Sequence, residues 1–113
     1  MNLQNYYYKV NKAGRIQLVR ECDVYEGHFP GRPVCPGVFN LQTIKECVSR
    51  ELGRPLRITA IKQCRLTALA TPENCPELSL DLNIMPETDY LIQARLYSPE
   101  QVYMELKCTM QSL

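Results

Sequence analysis

Tryptophan is missing from this 113-residue chain, phenylalanine appears twice, histidine once and glycine five times. The six cysteines include no CxxC pair, and only one histidine is present to complete a zinc site, so a zinc site is not expected. No run of about 18 apolar residues occurs, which excludes a membrane-spanning helix. The start Met1-Asn2-Leu3-Gln4-Asn5 has neither the basic stretch nor the apolar stretch of a signal peptide, so a cytoplasmic protein with no membrane partner is expected. Internal repeats, linkers and low-complexity segments are absent too. What is present, 45% hydrophobic and 22% charged residues, is the composition of an ordinary globular domain and not of a disordered chain, a fibre or a coiled coil. A single domain over residues 1–113 is expected, long enough for a core and short enough to lean on a partner.

Cys22, Cys35, Cys47, Cys64, Cys75 and Cys108 are spaced by 13, 12, 17, 11 and 33 residues. An even number permits disulfides, but without a secretory signal reduced, mostly buried thiols are expected. The net charge of +1 conceals a gradient: residues 1–70 hold 11 basic and 5 acidic side chains, residues 71–113 hold 2 and 7. A basic half attracts acidic partners. Its basic residues are not interleaved with aromatics and no nucleic-acid motif appears, so nucleic acid is not an expected partner.

Periodicity orders the chain as strands, one helix, then strands. Tyr6, Tyr8 and Val10 alternate with Tyr7 and Lys9 in a first strand, Asn11 to Gly14 turns the chain, and Ile16 and Leu18 share a face of a second. From Cys22 to Gly37 three prolines at a three-residue period (Pro30, Pro33, Pro36) exclude helix and central strand, leaving a stiff extended loop. Val38, Leu41, Ile44, Val48 and Leu52 then draw one apolar helical stripe, stopped by Gly53 and Pro55. A long strand follows from Leu56 to Ala70, its apolar phase slipping near Lys62 as a bulge would make it. Strict alternation at Leu78–Ile84, Ile92–Leu96 and Val102–Cys108 predicts a three-stranded antiparallel meander. One long helix against five or six antiparallel strands is an α+β domain.

The segment Gly27-His28-Phe29-Pro30-Gly31-Arg32-Pro33-Val34-Cys35-Pro36-Gly37-Val38 places the one histidine on a rigid loop nine residues before a helix start. Imidazole takes and returns protons near neutrality, and a helix N-terminus opened by glycine offers free amides to a developing oxyanion. Base and oxyanion donor together suit abstraction of a proton beside a carbonyl. The alternative is a loop histidine satisfied by backbone.

The spelling of this segment resembles the His-Phe-Pro-x-x-Pro-x-x-Pro-Gly-Val signature of the β-hydroxyacyl-acyl-carrier-protein dehydratases, nearly letter for letter. Ile61-Lys62-Gln63-Cys64-Arg65-Leu66 followed by Thr71-Pro72 is similar, more weakly, to that family's next strand, and the order of elements agrees from about residue 3 to 110. The resemblance implies a hotdog fold, an antiparallel sheet of five to six strands wrapped around the helix, and pairing of subunits with the active site between them. It implies a (3R)-hydroxyacyl substrate on the phosphopantetheine of an acyl carrier protein, in fatty-acid or related acyl-chain synthesis, and neither metal nor organic cofactor. A homodimer or higher even oligomer is expected, or a heterodimer with a second hotdog subunit.

Carried over by position, His28 aligns with the base that removes the C2 proton and Gly37 with the glycine whose amide binds the thioester carbonyl. The family's helical Glu or Asp, which helps the hydroxyl leave as water, falls on Gln42. A carboxamide hydrogen-bonds but delivers no proton, and general-acid help is worth roughly 10²–10⁴-fold, about 3–5 kcal/mol of barrier. Glu46, the nearest acid on the helix, lies one turn on, about 6 Å along the axis; it is the alternative source of the proton, but a solvated helix face is expected for it. Asp23 and Glu26, before His28, are further acids without a place. A hydro-lyase is thus expected, with a non-catalytic or heterodimer-dependent subunit that binds acyl carrier protein as the alternative and a thioesterase of the same fold as a weaker third. Tyr6-Tyr7-Tyr8 suits a strand face and an interface. Arg50, Arg54, Arg57, Lys62 and Arg65 are solvated charge or a landing site for an acidic carrier, and Cys35 lacks the second histidine a nucleophile would use.

Overall fold

In a computed structural model of the chain the described residues are 3–12, 14–19, 37–68 and 77–113. The loop from Cys22 to Pro36, with Asp23, Glu26, His28 and Cys35, lies outside them, as do Ala70, Thr71-Pro72 and Cys75. The elements are β1 (Tyr8–Val10), β2 (Ile16–Leu18), α1 (Gly37–Leu52), β3 (Leu56–Leu66), β4 (Glu77–Pro86), β5 (Tyr90–Tyr97) and β6 (Val102–Ser112). They form one antiparallel sheet in the order β1-β2-β4-β5-β6-β3. None of the described helices is long and apolar enough to cross a membrane.

The alternating segments become the sheet's centre because their register puts like with like. Leu82, Ala94 and Leu106 stand in one cross-strand row, Ile84, Ile92 and Cys108 in the next, Leu80, Leu96 and Met104 in another. Ile44 and Val48 of α1 belong to the same buried cluster as these rows. Each fully buried aliphatic side chain contributes about 1.5–3 kcal/mol of transfer free energy. The opposite face is polar: Asp81, Arg95, Glu105 and Arg65 share a row, with Arg95 bridging Asp81 at 2.7 Å. Helix α1 ends as its glycine predicts. Gly53 adopts φ +68°, its N–H bonds the Arg50 carbonyl and the Arg54 N–H reaches back to Ser49, the paired bonds of a Schellman cap.

The slip near Lys62 is real: the β3–β6 register breaks between Ile61 and Gln63. A second break, between Ile58 and Ala60, was not legible in the sequence. Two bulges return the strand to its original phase, so Ile61, Cys64 and Leu66 pair with Cys108, Leu106 and Met104 on the apolar side. Two strand expectations need correction. The first strand starts at Tyr8, because Tyr6 and Tyr7 both donate their amides to the Leu3 carbonyl in a turn whose Asn5 has φ +69°. The third strand stops at Leu66, where the Thr67 hydroxyl takes up the Val102 carbonyl at 2.6 Å.

Candidate active site

Gly37 is the first residue of α1, so its amide is one of the first-turn N–H groups that the helix cannot satisfy internally. No acidic side chain occupies that first turn. Gln42 sits five residues on, about 7.5 Å along the axis, half-buried at a groove of about 360 Å³ that Lys45, Glu46 and Arg50 also line. His28 lies outside the described residues, so of the three expected site residues two are placed, both on α1.

The expectation of a solvated Glu46 is overturned. Its carboxylate accepts the amide of Leu3 at 2.7 Å, the amide of Gln4 at 3.2 Å, the Tyr8 hydroxyl at 2.8 Å and the Gln42 side-chain amide at 2.9 Å. Four donors converge on two oxygens because the N-terminal turn folds back across α1, 43 residues away in sequence. Arg50 closes the latch from the next turn of the helix, donating to the Tyr8 hydroxyl and to the Gln4 side chain and stacking its guanidinium 5.6 Å from the Tyr8 ring. Burial pushes the Tyr8 phenol above its ordinary range, and burial likewise raises the Cys47 thiol beside it.

The chemical meaning is specific. The Gln42 Nε2 donates one N–H to Glu46, and all four of these Glu46 contacts use that side chain as an acceptor. Neither residue is arranged to hand a proton to a leaving hydroxyl.

The tyrosine triplet divides. Tyr7 and Tyr8 are wholly buried, and Tyr6 is 45% exposed. Tyr7 packs edge-on against Phe39, with ring centroids 5.1 Å apart, and donates to the Asn40 side-chain oxygen at 2.8 Å. Asn40 and Thr43 are buried polar residues that the apolar stripe did not flag. The sheet wraps α1 more widely than one stripe, and an asparagine reads as exposed until its tyrosine partner is known. Among the described cysteines Cys47, Cys64 and Cys108 are free, and Cys64 is exposed, against the expectation of burial. The five basic residues fall into two groups. Arg50 and Arg54 stand at the end of α1, where Arg54 bonds the Tyr90 hydroxyl, while Arg57, Lys62 and Arg65 stand on β3. No cluster among the described residues could hold a metal ion.

A helix cradled by an antiparallel sheet, with a glycine-opened N-terminus following the proline-spaced histidine segment, defines a hotdog protein of the dehydratase type. The sequence profile of the ApeI dehydratases matches residues 8–105, and the chain belongs to this ApeI-like dehydratase family. Among solved structures it resembles the dehydratase heterocomplex ApeI:P from Xenorhabdus doucetiae. That match has a TM-score of 0.64 and 21% identity over 85% of this chain and 84% of that one, a likeness of fold. No curated protein matches the chain by sequence.

Proposed function

We propose that this chain is one subunit of a two-chain hotdog dehydratase that removes water from a 3-hydroxyacyl thioester on acyl carrier protein, with the acid supplied by the other subunit. The observation that carries this reading is the Gln42–Glu46 pair, which leaves the helix of this chain without a proton donor where the family places one. A solved member of the same fold that is itself a dehydratase heterocomplex supports the two-chain form.

In this reading His28 takes the C2 proton, the electron pair moves onto the thioester carbonyl, and the Gly37 amide holds the resulting oxyanion. The pair then returns to form the C2–C3 double bond as the C3–O bond breaks, and the hydroxyl leaves as water with a proton from the partner's carboxylic acid. The base half belongs to this chain and the acid half does not. No step calls for a metal or an organic cofactor; the phosphopantetheine comes with the substrate.

Mixing experiments test it. Wild type and a His28→Ala/Gln42→Glu double variant are each assayed alone, and then together, on a 3-hydroxybutyryl carrier-protein thioester at high protein concentration. In the mixture one site combines a wild-type His28 with the introduced carboxyl of its neighbour. Turnover in the mixture exceeding either chain alone by about 10²-fold or more supports the reading. A mixture as slow as its parts points to a subunit that binds the carrier without catalysis.

A further inference from the structure

One face of α1 is polar along most of its length. Gln42, Lys45, Glu46 and Ser49 follow at helical steps of three and four, each half-buried, and all line the groove of about 360 Å³. Gln4 and Arg50, bonded to each other, line it too. Beyond the helix end the lining turns apolar with Pro55, Leu56 and Leu113, where the Leu113 N–H bonds the Pro55 carbonyl at 3.1 Å. From Gln42 to Ser49 the groove covers about 10.5 Å of helix axis at 1.5 Å per residue.

The charged and hydroxyl groups of this lining differ in how far they are satisfied. Glu46, its one acid, meets four donors, and Arg50 donates to the Tyr8 hydroxyl, the Gln4 side chain and the Cys47 sulfur. The Lys45 ammonium and the Ser49 hydroxyl have no hydrogen-bond or ion-pair partner among the described residues. An ammonium brings three donors and no acceptor. The direction of a bound acyl chain follows from the proposed function. The thioester carbonyl sits at the Gly37 amide in the first turn, and the C3 hydroxyl falls at Gln42, five residues on. The chain from C1 to C3 therefore runs with α1 toward its C-terminus. Carbons beyond C3 pass on to Lys45 and Ser49, while the pantetheine arm leaves the other way. A plain hydrocarbon tail suits that course poorly: it gains about 0.8 kcal/mol per buried CH2 but strips water from an ammonium and gives no acceptor back.

We infer that this groove is a subsite for a carboxylate at the far end of the acyl chain, with Lys45 pairing to it and Ser49 donating a hydrogen bond. The substrate class is then 3-hydroxyacyl thioesters of medium length that end in an acid. The inference rests on the proposed function for the direction of the chain. Charge-assisted hydrogen bonds to a carboxylate are about twice as strong as neutral ones, so Lys45 supplies most of the discrimination and Ser49 the lesser part.

Calorimetric titration with 3-hydroxyacyl thioesters of N-acetylcysteamine, which carry no phosphate, tests it. Probes of equal length ending in a carboxylate, a hydroxyl or a methyl are compared in low salt and in about 0.5 M salt. Wild type should bind the carboxylate-ended probe about tenfold tighter than the methyl-ended one in low salt, and lose part of that preference in high salt. Lys45→Met should erase the preference, Lys45→Arg should keep most of it, and Ser49→Ala should reduce it. A preference that survives Lys45→Met overturns the inference. So does a methyl- or hydroxyl-ended probe that binds as tightly as the carboxylate, or a failure of every probe to bind at millimolar concentration. A Lys45 effect seen only with carrier-bound probes, and equally for all three ends, assigns the ammonium to the phosphate of the arm and overturns it too. Binding requires no proton transfer, so the two readings fail separately. A carboxylate preference without His28-dependent proton exchange at C2 sinks the catalytic reading alone; exchange without the preference sinks this one alone.

Discussion

Replacing Gln42 with glutamate does more than restore the family's acid. In the wild type the Gln42 Nε2 donates to a Glu46 oxygen at 2.9 Å. The substitution puts a second carboxyl oxygen where that donor stood. Two unit charges 4 Å apart at an effective dielectric near 20 repel by about 4 kcal/mol, and this pair is closer still. The pair escapes by keeping one proton between the carboxyls, which raises one of its two apparent pKa values well above the usual carboxylate range. Glu46 retains three other donors in Leu3, Gln4 and Tyr8, so the proton resides on the introduced group. An acid tuned toward neutrality is what departure of water requires, and the expected gain on a 3-hydroxybutyryl thioester is about 10²–10⁴-fold over wild type. The sign for stability follows. A folded-state pKa raised above the unfolded one contributes stability at low pH that is lost as pH rises through the folded value. The variant should therefore match wild type near pH 4 and fall behind it toward neutrality, whereas Glu46→Gln in the same background should remove both the pH dependence and part of the gain. Urea denaturation and pH–rate profiles read both quantities. A Gln42→Glu variant whose stability tracks wild type at every pH, with no change in rate, would refute the pairing of these two side chains.

Three further outcomes follow from the packing. Glu46→Ala removes the acceptor for four donors and should cost about 2–4 kcal/mol in urea denaturation while freeing residues 3–8 to proteolysis. Tyr7→Phe leaves the buried Asn40 oxygen without this donor and should cost about 1–3 kcal/mol, with Phe39 packing retained. Burial, with Cys64 nearby adding to it, pushes the Cys108 thiol up to about 11 from an ordinary 9.0. Its contribution is thus complete below pH 9 and lost as pH climbs to 11, a fall of about 2–3 kcal/mol that Cys108→Ala should flatten in denaturation curves across that window.

Legibility in the sequence followed the range of the forces involved. β4, β5 and β6 could be read because one face is apolar and one polar, and period-two alternation records that directly. The helix end was readable from Gly53, a local requirement for positive φ. The bulge at Lys62 showed as a phase slip, while the one at Thr59 fell among residues whose character hides it. Glu46 was misread because its partners lie in the N-terminal turn, and no local pattern announces a contact across 43 residues. Asn40 was missed for the same reason. Gln42 was singled out by its position relative to the histidine motif, but its tie to Glu46 needed coordinates.

In the proposed function this chain holds the base half of a dehydration and lacks the acid half. Exchange at C2 separates the two, because abstraction and return of that proton needs no leaving group. In D2O, wild type should wash deuterium into C2 of a carrier-bound 3-hydroxybutyryl thioester far faster than it forms the 2-enoyl product, and His28→Ala should abolish the exchange. Absence of His28-dependent exchange, or dehydration by the isolated wild-type chain as fast as the exchange itself, would rule out this division of labour.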